Sequence, residues 1–269
     1  MEEILHRNNV SVTGNGDTAM MFAHGFGCDQ NMWRYVVPAF ADDYKIILFD
    51  HVGAGKSDLS AFQPEKYERL DGYAGDIIDI IDALQLRDII FVGHSVSSMM
   101  GVIAAQKRPE LFSRLVLVGP SPCYINDEGY TGGFTTPQIE ELLSAMDNNH
   151  LGWSMSMAPV IMANPEREEL SQELANSFCR TDPDIAKHFA RTTFLTDERA
   201  VLEKNRTPAL ILQCSSDVIA PVEVGKYMAR HMPLSKLVIM QATGHCPNLS
   251  APEETIVAIR EYLSLNEYA

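Results

Sequence analysis

No apolar run in the chain approaches the roughly 20 residues that a helix needs to cross the hydrocarbon core of a bilayer. Positive charge is also scarce. The 269 residues carry 21 lysines and arginines against 36 aspartates and glutamates, a formal net charge of −15. Such a field repels phosphate backbones and anionic lipid, which argues against nucleic-acid and membrane-surface partners. The opening residues, MEEILHRNNV, put acidic groups where a secretory leader needs basic ones, so no leader is expected. The 5 cysteines form no C-x-x-C pair and are odd in number, as expected of reduced thiols in a cytoplasmic protein. No His, Cys and carboxylate spacing resembles a zinc site, and no G-x-G-x-x-G follows a strand. Neither a metal nor a cofactor is therefore expected.

What is present centres on Asp88–Pro109, DIIFVGHSVSSMMGVIAAQKRP. A short β-type run, Ile89–Val92, meets a tight turn around Ser95, and a helix-forming run, Ser98–Lys107, comes next. Strand, sharp turn at a serine, then helix is the context of a nucleophile elbow. Gly93 and Ser97 stand two residues either side of the serine, giving G-x-S-x-S where the usual pattern ends in glycine. Both are small, as close approach of strand and helix requires. The helix run is apolar on nearly every side, as expected of a helix covered on both faces.

Strand and helix alternate around this unit. Residues 4–16 suggest a strand pair or one bent strand. Apolar strands are expected at Thr18–Ala23, Lys45–Phe49, Leu115–Val118, Pro208–Cys214 and Lys236–Met240. Periodic helices are expected at Tyr67–Leu84, where Asp76, Asp79 and Asp82 read as a solvated face, and at Val222–Arg230 and Pro252–Leu263. Asp29 is placed to cap a helix carrying Met32, Trp33, Val36 and Val37. Between Cys123 and Glu198 the alternation stops, and helices are expected at 137–147, 150–163, 165–179 and 182–194. The fold class is α/β, a mostly parallel central sheet flanked by helices. A four-helix cap (123–194) enters after the sixth strand and interrupts one core domain (1–122 and 195–269).

Three reactive side chains sit just past strand ends, in the order Ser95, Asp217, His245, where open α/β sheets bind ligands. In this reading Ser95 is the nucleophile, His245 takes and returns its proton, and Asp217 holds the imidazole tautomer. Asp217 as a helix cap and His245 as a packed core histidine are the alternatives. The oxyanion donors are the backbone N–H groups of Val96 and Phe26. His24, Phe26, His94, Trp153, Phe189 and Phe194 are candidate pocket residues, although His24 and His94 also fit structural roles. The fragment Gly53–Ser57 (GAGKS) imitates the end of a phosphate-binding loop. The first glycine of that motif would fall at Asp50, the wrong charge for a phosphate cradle.

The HGFG turn (His24–Gly27), the D-x-x-G-x-G-x-S-D loop at Asp50–Asp58, the elbow and the late Asp…His pair together resemble the α/β-hydrolase superfamily. The stretches HGFGCDQNMW, DHVGAGKSD and GHSVS, with the four-helix cap, resemble more narrowly the RsbQ-type bacterial stress regulators, relatives of the plant karrikin and strigolactone receptors. That resemblance implies a serine hydrolase with a hydrophobic cavity for a small ester or lactone-like compound. It also implies a role as positive regulator of stress signalling through an RsbP-type PAS-domain phosphatase and a sigma factor. A metabolic carboxylesterase or C–C-bond hydrolase without a signalling partner shares every motif.

Overall fold

Seven strands form one sheet in the computed structural model, which describes residues 1–265. The strands are β1 (Ser11–Thr13), β2 (Ala19–Ala23), β3 (Lys45–Leu48), β4 (Ile89–His94), β5 (Phe112–Val118), β6 (Ala209–Ser216) and β7 (Ser235–Thr243). Their order is β1-β3-β2-β4-β5-β6-β7; β1 is antiparallel to β3 and every other pair is parallel. Helices cover both faces, so the central strands are apolar on both sides. Met20, Phe22, Ile90, Val92, Val116 and Val118 point to one face, where they pack with Trp33, the cap and the C-terminal helix. Met21, Ile89, Phe91, Leu115 and Leu117 point to the other. Among the described residues no helix is long and apolar enough to cross a membrane.

The helices are α1 (Glu2–Arg7), α2 (Leu70–Ala83), α3 (Val96–Lys107), α4 (Thr136–Asn148), α5 (His150–Met162), α6 (Glu168–Arg180), α7 (Pro183–Phe194), α8 (Arg199–Leu202), α9 (Val222–His231), α10 (Pro247–Ser250) and α11 (Pro252–Ser264). Helix α3 is buried from Val96 to Ala105, which explains why it lacks a polar face. Helices α4 to α7 lie between β5 and β6 and close over the sheet's C-terminal edge. Their starts are written in the sequence: Thr135 and Gln138 form a capping box for α4, and Asp182 caps α7 through the amides of Asp184 and Ile185.

Three expectations need correction. Residues 2–13 form a helix and one strand rather than a strand pair, so the cap comes after the fifth strand, not the sixth. Glu2 and Glu3 in the first turn of α1 and His6 and Arg7 in its last complement the helix dipole. Asp29 does cap, accepting from Asn31 N at 2.9 Å, but it opens two 3-10 turns, Gln30–Trp33 and Val37–Ala39, not an α-helix. Pro38 disfavours helical geometry at the residue before it. Asp76 is not on a solvated face. It is 1% exposed and meets Arg7 at 3.0 Å, Lys66 at 2.5 Å and the Tyr67 hydroxyl at 2.7 Å.

Candidate active site

Strand order reverses at β2, with β3 on one side and β4 on the other, which makes the β2/β4 crevice the topological switch point. Ala23 pairs with Gly93 there, so the turn after β2 and the elbow after β4 leave the sheet side by side. Ser95 sits at φ 56° and ψ −126° between β4 and α3. For a residue with a side chain this backbone is strained by roughly 1–3 kcal/mol, typical of a site where geometry is imposed. Ser95 N–H donates to Val118 O at 2.8 Å and Ser98 Oγ donates to Gly93 O at 2.8 Å, which hold the bend.

A Cβ at Gly93 would stand 2.8 Å from the backbone carbonyl carbon and oxygen of Ser97 and from Ser98 N. Backbone cannot swing aside as a side chain can. Gly93→Ala is therefore expected to lower stability by about 1–3 kcal/mol in urea unfolding. An unchanged midpoint would mean that strand and helix are not in tight contact at the elbow.

The three distant side chains converge. His245 Nε2 accepts from Ser95 Oγ–H at 2.7 Å, and His245 Nδ1–H donates to Asp217 Oδ2 at 2.7 Å. All three are nearly inaccessible, at 5% for Ser95 and His245 and 6% for Asp217. Asp217 Oδ1 accepts from Ile219 N at 2.8 Å and Ala220 N at 3.1 Å. Asp217 is thus the histidine's partner and not a helix cap, since Oδ1 closes a turn in the loop ahead of α9, whose N-cap is Pro221.

Behind the elbow lies a layer of histidines. His94 Nε2–H donates to His245 O at 2.7 Å and holds the histidine loop from beneath. Burial, then the nearby His245, pushes the His94 pKa down to about 3, so this ring is neutral. Ser97 Oγ–H donates to His24 O, and His51 Nε2–H donates to Ser97 Oγ at 2.7 Å. His51 N–H donates to His24 Nε2 at 3.1 Å, which leaves His24 Nδ1–H for Gly25 O at 2.9 Å. Burial lowers the pKa of His24, and lowers that of His51 well below its ordinary value with help from His24. The serine in place of the last elbow glycine thus ties three loops together. Sequence reasoning does not single out His51, and only its place in the DHVGAGKSD loop could draw attention to it. Asp50, in the same loop, accepts from Gln30 N, Asn9 Nδ2 and Lys56 N, a structural clasp where the imitation phosphate loop would need an anion.

Above Ser95 is a narrow apolar pocket of about 30 Å³. Phe26, His94, Tyr124, Phe178, Thr193, Phe194 and Ile219 are among the residues that line it. Of the candidate pocket residues, Phe26, His94 and Phe194 line it, whereas His24, Trp153 and Phe189 do not. His24 lies beneath the elbow in the histidine layer. Trp153 and Phe189 stand behind the Phe26 ring, with centroids at 6.1 and 5.5 Å. Cys28 and Cys246 reach the cavity as neutral thiols: burial, and next Asp29, pushes Cys28 up to about 12, and burial raises Cys246 well above its ordinary value. Sequence reasoning misses Tyr124, whose buried hydroxyl has no partner of good geometry among the described residues. The Val96 and Phe26 amides, expected as oxyanion donors, have no acceptor among the described residues.

Residues 18–252 match the family model for the alpha/beta hydrolase fold. The chain belongs to the α/β-hydrolase family. Among its relatives, karrikin insensitive 2 receptor CA of Petunia hybrida is 37% identical over 257 residues, covering 95% of each chain. A strigolactone esterase of Arabidopsis thaliana is 38% identical over 261 residues, covering 97% of each. The solved structure of a hydrolase from Oleispira antarctica superposes with a TM-score of 0.96 at 42% identity, covering 98% of this α/β-hydrolase and 97% of that chain. This α/β-hydrolase is therefore related along nearly its full length to the plant karrikin and strigolactone proteins.

Proposed function

We propose that the protein is a cofactor-independent serine esterase for a small hydrophobic ester or lactone-like compound. The observation that carries this reading is the unbroken Asp217–His245–Ser95 hydrogen-bond chain at the floor of an apolar pocket. Ser95 Oγ attacks the carbonyl carbon as His245 Nε2 takes its proton. The oxyanion that forms accepts from the Phe26 and Val96 amides, each worth roughly 10²–10³ in rate. The tetrahedral adduct collapses, the leaving alkoxide takes the proton from His245, and an ester on Ser95 remains. Water then attacks that ester, giving its proton to His245, and Ser95 leaves with the proton returned.

The finer half of the proposal is that this turnover serves signalling. The ligand's fate would be read by an RsbP-type PAS-domain phosphatase that turns on a stress sigma factor. Its support is the resemblance of the elbow and loop stretches to RsbQ-type regulators, and the kinship with proteins named as receptors. The second reading, an esterase with no signalling partner, draws on the Oleispira antarctica protein, described as a hydrolase.

Two measurements test these readings. Treatment with a fluorophosphonate, followed by peptide mass spectrometry, is expected to place one adduct on Ser95 and to abolish hydrolysis of short p-nitrophenyl esters. Absence of the adduct rejects the esterase. In cells carrying the phosphatase, a Ser95→Ala variant that signals as well as wild type removes turnover from the signal. A chain that leaves the phosphatase unaffected favours the second reading.

A further inference from the structure

The turn that carries the Phe26 amide is held from the cap. Cys28 N–H donates to Gly25 O at 3.3 Å, closing a turn in which Gly27, at φ +68°, takes the position that favours glycine. A Cβ at Gly27 would stand 2.2 Å from the Phe178 ring, so α6 presses directly on the turn. One residue earlier on α6, Ser177 Oγ–H donates to Gly27 O at 2.8 Å. Glu173 and Arg180 flank Ser177 four and three residues away, on the same helix face. Glu173 makes two 2.7 Å hydrogen bonds with Arg34, and Arg180 lies 3.6 Å from Asp29. One face of a cap helix thus grips Gly27, Asp29 and Arg34, in the segment just after Phe26. The histidine loop is gripped too, since His245 N–H donates to Ile161 O of α5 at 2.9 Å.

We propose that Ser177 is a positioning residue that aims the Phe26 amide, so that the oxyanion hole is complete only while α6 is seated on the core. The inference rests on the esterase reading. It makes cap closure part of catalysis as well as of substrate enclosure. Opening the cap to admit a ligand loosens the donor, and closing it restores the donor around a bound ester. Ser177 touches neither substrate nor Ser95. Its loss should therefore weaken stabilisation of the developing oxyanion while leaving ground-state binding alone.

The test compares wild type with Ser177→Ala, Ser177→Thr and Glu173→Gln on a p-nitrophenyl ester, with inhibition by an aryl boronic acid as a second readout. The boronate forms a tetrahedral anion on Ser95 and so reports the oxyanion hole without turnover. Ser177→Ala is expected to lower kcat by roughly three- to tenfold, the worth of one hydrogen bond, with KM within twofold. Boronate affinity should weaken by a similar factor, and Ser177→Thr should recover most of both. Glu173→Gln should move both in the same direction by a smaller factor, and it decides the question if Ser177→Ala does not fold. Unchanged kcat and boronate affinity overturn the inference, as does a rise in KM with kcat retained. Wild type that neither turns over the ester nor binds the boronate overturns the esterase reading instead.

Discussion

An Asp217→Asn variant is expected to lose about 10⁴-fold in kcat on a p-nitrophenyl ester while keeping its fold. The reason lies in how the two oxygens divide their work. Oδ1 accepts from the Ile219 and Ala220 amides, and Oδ2 accepts from His245 Nδ1–H. An asparagine can keep its carbonyl on the two amides, which leaves its NH₂ facing the imidazole. Nδ1 must then accept, so the ring proton moves to Nε2. An Nε2–H cannot take the proton of Ser95 Oγ, 2.7 Å away. The variant also offers no carboxylate to stabilise the imidazolium. Because the loop's own hydrogen bonds survive, the melting temperature should shift by only a few degrees. Initial-rate kinetics with a parallel thermal melt make the check. A loss under about tenfold would mean that Asp217 holds the loop and does little for the proton transfer.

The sheet and the three convergent side chains are legible in the sequence because both obey local rules. Runs such as Lys45–Leu48 and Ile89–Val92 are too short and too uniformly apolar to be anything but strands covered on both faces. Each of Ser95, Asp217 and His245 comes just after such a run, and parallel strands deliver their C-terminal ends to one rim. The misreadings share a cause, which is dependence on partners remote in sequence. Asp76 belongs to a periodic helix whose other aspartates look outward, and only Arg7, Lys66 and Tyr67, brought in by folding, make its burial tolerable. Trp153 and Phe189 have the right chemistry for a pocket, but Phe26 fills the space between them and the cavity. Tyr124 reaches the cavity from the irregular segment after β5, where no periodicity marks a direction. Ser97 looks like an imperfect glycine, and its hydroxyl acquires meaning only beside His24 and His51.

The same histidine layer makes stability depend steeply on acid. Unfolding free energy is expected to fall by about 2–3 kcal/mol between pH 6 and pH 5, a range in which most carboxylates stay ionised in both states. Burial keeps His94 neutral down to about pH 3, and His51 is likewise held well below its ordinary 6.5. The unfolded chain, with ordinary histidines, therefore binds protons in this window that the folded chain does not. The proton balance favours the unfolded state as pH falls, so the stabilisation is present above pH 6.5 and lost below it. Each such histidine contributes at most about 1.4 kcal/mol per pH unit, and two set the expected slope. His24, also lowered by burial, and the buried His150 add in the same direction. Glu198, raised by burial, holds its proton more readily folded than unfolded and so opposes them at pH values above its ordinary 4.5. In both His51 and His94 the hydrogen bonds are donated by Nε2–H, so an added proton falls on the buried Nδ1, which has no partner among the described residues, and the cost is that of a buried charge rather than of a lost hydrogen bond. Urea unfolding at pH 7.5, 6 and 5 measures the slope, and a stability that stays level across those values would show that the buried rings are already charged or are wet.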